Sequence, residues 1–243
     1  MKSLKNAPQI ILNSKHIGHP IDFKWNKKKM EKFLDPLDEY KELETALLNI
    51  NHKATVGLSA ALLEWIYWRF IGHNTSITDT EKRIEALWCS IKDPELSSPL
   101  LFDPNFDIPA SGPIDGPLWV AHMTVRMIDV RYRKGSYFLQ NEITGLVLLA
   151  RHITPKRKKF DNWFNNILIQ LTYLYPCPYT NEDLDETDEK VYDSHNESVI
   201  CRDFFFNPKF RYTIMASEKA VNKYIQNSDQ KSNPFLQLSQ KVS

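Results

Sequence analysis

Residues 56–71 read VGLSAALLEWIYWRFI. Apolar side chains occupy nearly every face of the helix this stretch would form, so it is expected as a helix buried all round. Glu64 and Arg69 break the apolar run, and a bilayer span needs about 20 apolar residues in a row. Gly72 follows the last apolar residue, where a helix commonly ends in a left-handed turn. A helix enclosed on every side needs several neighbours, and the surrounding sequence supplies helical patterns for them.

Upstream, Asp35 is expected as an N-cap with Pro36 as the first helical residue and acids Asp38 and Glu39 in the first turn. Leu37, Tyr40, Leu43, Leu47 and Ile50 then recur at helical spacing, and Asn51 and His52 are expected to end that helix. Residues 24–32 carry five Lys and one Glu, which fits either a helix start or a solvated arm. Residues 21–25 alternate apolar with polar, as a short extended piece does.

Downstream, Thr78 and Glu81 read as a capping box ahead of the face Ile84, Leu87, Trp88 and Ile91. Pro94 ends that helix. Six of the fourteen prolines fall in residues 94–117. This connection is expected to cross the body and pack down on it through Leu100, Leu101, Phe102, Phe106 and Ile108. Pro117 opens a helix to Arg133, a further helix covers 142–152, and Asp161 caps one running to Tyr175, stopped by Pro176 and Pro178. The run VICRDFFFNPKFRYTIM at 199–215 predicts a short strand pair, and 217–226 a last helix. The fold class expected is therefore mainly α: a single multi-helix domain over 1–243 around central apolar helices, with a short β-hairpin near 199–215. Segments 1–30 and 228–243 are expected to be loosely attached, with Phe235, Leu236 and Leu238 available to dock the tail.

Composition narrows the function classes. Seven Gly in 243 residues is well under the usual share of about 7%, which argues against an all-β fold of tight turns and against Gly-rich phosphate loops. A net charge of +1 gives no global attraction to nucleic acid or to an acidic membrane. Cys89, Cys177 and Cys201 are odd in number and form no CxxC, a pattern of buried thiols in a reducing compartment. The apolar run at the N-terminus, Ile10 to Leu12, is too short for a signal-peptide core. A cytoplasmic location with no membrane partner is expected.

No nucleophile elbow, HExxH or P-loop occurs, so no catalytic residue and no cofactor is assigned. His16 and His19 stand three apart, but Gly18 and Pro20 oppose a helix there and no third ligand appears at a metal-site spacing, so no metal is assigned. Ser194 and His195 are adjacent, which does not make a nucleophile and base. The stripe His122, Arg126, Asp129 and Arg133 shares one helix face. With Glu64 and Arg69 it outlines a candidate ligand cleft of Glu64, Arg69, His122, Arg126 and Asp129. The favoured reading is scaffold: Arg126 pairs with Asp129, and Glu64 meets Arg126 or Arg69 meets Asp129, because isolated charges are costly to bury. The basic run 156–159, with Arg151 before it and Phe160, Trp163 and Phe164 after it, mixes cations with aromatics as nucleic-acid binders do. The favoured reading there is a basic turn ahead of an amphipathic helix.

Residues 182–197 hold eight acids against one Lys. Charge runs are ordinarily solvated loops, yet a dense acidic patch on a near-neutral body suits capture of a basic partner. Glu182, Asp183, Asp185, Glu186, Asp188 and Glu189 are the candidate partner-binding residues.

The segments LLEWIYWRF, ALWCSIKDP and GPLWVAHMTVRMIDV, together with the acidic stretch, resemble the all-α immunity proteins found beside bacterial polymorphic or contact-dependent toxins. The resemblance covers about residues 35–175 and transfers no functional residue. It implies a non-enzymatic protein that blocks a cognate toxin, a basic protein partner, by tight binding. An enzyme or small-ligand binder using the polar cleft is the second reading, and a nucleic-acid binder using 151–159 is the third.

Overall fold

A computed structural model describes residues 7–36, 40–73, 77–101, 109–179 and 191–238. Among these residues the chain is mainly α, with no sheet; its only β pairings are isolated bridges from Ile50 to Pro176 and from Ser97 to Leu236. The helices are α1 (Gln9–Asn13), α2 (Lys27–Leu34), α3 (Lys41–Leu48), α4 (His52–Phe70), α5 (Ile77–Ser90), α6 (Asp115–Arg133), α7 (Gln140–Ile153), α8 (Lys158–Leu174), α9 (Arg202–Phe206) and α10 (Ile214–Asn227). No described helix is long and apolar enough to cross a membrane.

Helix α4 is the axis of the fold. Every one of its residues is buried, and α5, α6, α7 and α9 pack around it. It ends at Phe70, and Gly72 follows at φ 83°, the left-handed stop expected of it. Two glycines let backbones approach closely. A Cβ on Gly57 would stand 2.6 Å from Ile200 Cγ2, so α9 and its preceding strand-like residues lie directly on α4. A Cβ on Gly145 would collide with the Phe33 carbonyl, which seats the end of α2 on α7.

Several expected boundaries move. Asp35 closes α2 instead of opening α3, which begins at Lys41; Leu37, Asp38 and Glu39 lie outside the described residues. The lysine-rich run is helical, because Asn26 caps it and accepts from the Lys29 N–H at 3.0 Å. Asn51 starts α4 instead of ending α3: its side chain accepts from the Ala54 N–H at 2.9 Å. An Asn reads equally well at either end of a helix, and the tertiary contact of its N–H with the Tyr175 carbonyl decides between them. Thr78 lies inside α5, and Asp161 lies in the first turn of α8, which begins at Lys158.

The expected hairpin at 199–215 is absent. Phe204, Phe205 and Phe206 form one helical turn, α9, and all three are buried. A strand would send alternate rings outward; the turn brings all three against the body. Thr213 then caps α10, accepting from the Ala216 N–H at 3.0 Å. Within the segments expected to be loosely attached, Ile11, His16, Asn233 and Leu236 are buried, and residues 1–6 and 239–243 lie outside the described residues. In the proline-rich connection Pro94–Leu96 forms a 3₁₀ turn and Leu100 is buried, whereas Leu101 is exposed. Phe102, Phe106 and Ile108 lie outside the described residues.

Candidate functional site

Among the residues of the expected cleft, Glu64 and Arg69 enter separate networks, whereas His122 and Asp129 are linked through Asp79, Arg83 and Leu100. Glu64, fully enclosed in α4, accepts from Arg202 Nε and Nη2, both at 2.7 Å, and from Trp88 Nε1 at 2.9 Å. Burial works against charge on Arg202, and the Glu64 carboxylate more than offsets it, holding the guanidinium charged. Arg69, also fully buried, donates to the carbonyls of Ile153 (2.9 Å), His19 and Pro20 (2.7 Å), with Asp22 at 3.6 Å. His122 stands 2.8 Å from Thr80 Oγ1 and 3.7 Å from Asp79. Burial first, then the neighbouring Arg83, against a raising pull from Asp79, pushes its pKa down to about 3. Asp129 accepts from the Leu100 N–H and from Arg133 Nε, each at 2.9 Å. Arg126 is half-buried on the same helix.

The expected partners were therefore the wrong ones. Glu64 meets Arg202 and not Arg126; Arg69 meets backbone carbonyls and Asp22 and not Asp129; Asp129 meets Arg133. Arg202 lay in a segment read as strand, 138 residues from Glu64, and no periodicity within α4 or α6 points to it. A polar pair, Arg202 and Asp203, inside an apolar run was the available signal.

Arg202 also walls a groove of about 610 Å³ between α5, α9 and α10. Trp88, Ala216, Ala220 and Tyr224 supply apolar surface, and Lys219 and Lys223 stand one turn apart on α10 at its edge. None of the five expected cleft residues lines this groove; Glu64 holds it from behind through Arg202.

A second assembly surrounds the ends of the acidic stretch. Residues 180–190, which include Glu182, Asp183, Asp185, Glu186, Asp188 and Glu189, lie outside the described residues. Before them, the chain is held to the body by the Cys177 N–H on the Asn49 carbonyl at 2.9 Å and by Tyr179 against Tyr137, rings 5.3 Å apart. After them, the Tyr192 N–H donates to the Gly135 carbonyl at 2.8 Å and the ring stacks on His52 at 3.6 Å. Tyr179 and Tyr192 touch each other at 5.1 Å. The Tyr192 hydroxyl donates to Glu197. Glu197 in turn accepts from the backbone N–H groups of His52 (3.2 Å) and Lys53 (2.8 Å), the open end of α4, where the helix favours a negative charge. His52 Nε2 donates to the Ser136 carbonyl. Burial, against the pull of that bond, lowers the His52 pKa to about 4.

The remaining candidate residues take plain structural roles. His16 Nε2 donates to the Trp65 carbonyl at 2.6 Å, and no group of three metal-ligating side chains occurs among the described residues. Phe160, Trp163 and Phe164 are buried in the core, so they offer no stacking surface beside the basic run. Arg151 is taken up by both oxygens of Asp161, at 2.7 and 3.0 Å. Cys89 and Cys201 are buried free thiols and Cys177 is half-buried. Comparison with known protein families, curated proteins and solved structures finds no match for this chain.

Proposed function

We propose that this chain is a non-enzymatic binding protein that captures a basic protein partner through the acidic residues Glu182, Asp183, Asp185, Glu186, Asp188 and Glu189. The observation that carries the reading is the pairing of that charge density with a fixed base. Tyr179 and Tyr192, which flank the stretch, have their rings in contact; Tyr179 also packs on Tyr137, and Tyr192 is bonded to Gly135 and Glu197 and stacked on His52 at the start of α4. Closing the ends of a segment in the free protein removes part of the ordering cost of binding. Concentrated acids beside that base attract a cationic surface at long range and raise the association rate. Neutralisation of a bacterial toxin as an immunity protein is the specific form this reading takes, since a protein that cleaves nucleic acid presents a basic cleft to its inhibitor.

The test has two stages. The full chain, immobilised, recovers a stoichiometric basic protein from its native host, and association kinetics are then measured on the purified pair. Replacing the six acids by Gln and Asn lowers the association rate constant by about tenfold at low salt, and raised ionic strength narrows the gap. Recovery of no stable partner overturns the reading, as does a rate that neither the substitutions nor salt alters.

A further inference from the structure

The groove beside Arg202 is lined, among the described residues, by none of the acidic stretch, and it carries its own chemistry. Its volume, about 610 Å³, falls in the range of small-molecule sites, roughly 300–1,000 Å³. Such sites combine apolar walls with a few fixed polar groups. Here Trp88, Tyr224 and Ala220 supply the walls, and Arg202 is the fixed group.

Arg202 is unusually well held for a cation that reaches a surface. Nε and Nη2 are both committed to the fully enclosed Glu64 at 2.7 Å, and the guanidinium lies over the Phe206 ring at 5.3 Å. Nη1 is the one guanidinium nitrogen not bonded to Glu64. Its direction is set before any ligand arrives, so little side-chain entropy is lost when a ligand binds it. Lys219 and Lys223 flank it on α10, and among the described residues neither ammonium group has an ion pair.

The charge count selects the ligand. Among the described residues, Arg202, Lys219 and Lys223 stand against Asp203 in the groove wall and Glu64 behind it, an excess of one positive charge. A single negative head balances that excess; a dianion overshoots it and meets Asp203. We propose that this groove binds a small monoanion, a carboxylate on an apolar body, with Arg202, Lys219 and Lys223 receiving the head and Trp88 and Tyr224 the body.

Isothermal titration calorimetry on the full chain at neutral pH tests this with three probes that share a phenyl body: phenylacetate, phenyl phosphate and 2-phenylethanol. Phenylacetate is expected to bind saturably with one site per chain, phenyl phosphate more weakly, and 2-phenylethanol without saturation. The exposed pair Lys219→Ala/Lys223→Ala leaves the Glu64–Arg202 pair intact and weakens phenylacetate by about tenfold, close to 1.4 kcal/mol. Lys219→Arg/Lys223→Arg restores it. The proposal is overturned if phenylacetate fails to saturate, if the neutral alcohol binds as well, if phenyl phosphate binds more tightly, or if the double alanine variant binds unchanged. These lysines are remote in sequence from the acidic stretch, so failure here and failure of partner capture are read separately.

Discussion

Glu64 lies inside α4 and Glu197 sits on its N-terminus, and the two carboxylates are satisfied in different ways. Glu64 is wholly enclosed and is met by side chains, Arg202 and Trp88, that arrive from α9 and α5. Glu197 is half-buried and is met by backbone N–H groups of α4 and by the Tyr192 hydroxyl. Burial raises the Glu197 pKa, with the Tyr192 bond and the two backbone bonds pulling the other way. The first carboxylate depends on another full charge in direct contact, and the second chiefly on the Tyr192 hydroxyl and partial charges at a helix end, with a smaller pull from Lys53. A full buried charge cannot lose its counterion cheaply; a helix end can still turn to water. The region around Glu64 should therefore be rigid scaffold backing the groove, and the region around Glu197 a softer clasp at the base of the acidic stretch.

The largest test of that contrast is removal of one member of the interior pair. Arg202→Met leaves Glu64 enclosed with only the Trp88 bond, and the chain should lose about 3–5 kcal/mol of stability in urea unfolding. Glu64→Leu in the same chain should recover much of it, because two apolar groups of similar size can replace a buried pair. A loss near zero in Arg202→Met would show that Glu64 reaches water and would erase the distinction from Glu197.

The next effect belongs to the clasp and depends on pH. His52 titrates near pH 4 in the fold and near 6.5 when unfolded, so the unfolded chain binds the extra proton between those values. Its contribution to stability is present above pH 6.5 and is lost as pH falls toward 4. His52→Gln should remove about 2 kcal/mol of the difference in stability between pH 7 and pH 5, read from urea midpoints at both values. Glu197, with its raised pKa, shifts stability in the opposite direction as pH falls, so the comparison is made between the two proteins and not on wild type alone. An identical pH dependence would place the His52 ring in water.

The smallest effect is Tyr192→Phe. It removes the hydroxyl bonded to Glu197 but keeps the ring on His52 and Tyr179, and about 1 kcal/mol of stability should go with it. Proteolysis within 180–190 should then quicken if the clasp holds the ends of that stretch. An unchanged cleavage rate would separate the anchors from the acids they flank.

Much of the helical layout was legible from local pattern. Residues 56–71 declared a buried helix because no face was polar, and α6, α7 and α8 followed from apolar spacing and proline stops. Gly72 marked its turn because few other residues take a positive φ at low cost. These are short-range properties, decided within a turn or two of the chain. The misread places share a different cause. Asn51 fits either helix end until the Tyr175 carbonyl takes its N–H. Phe204, Phe205 and Phe206 fit a strand until Gly57 opens room for a helical turn. Glu64 and Arg69 announced that charges enter the core, but their partners, Arg202 and the carbonyls of His19, Pro20 and Ile153, lie 49 to 138 residues away. Which charge closes on which is settled by how helices stack, since pairing at such separations costs loop entropy that only the assembled core repays. The pattern of side chains along the chain dictated that a buried polar interior would exist; the packing of α9 onto α4 decided that its charge would end at the wall of a groove.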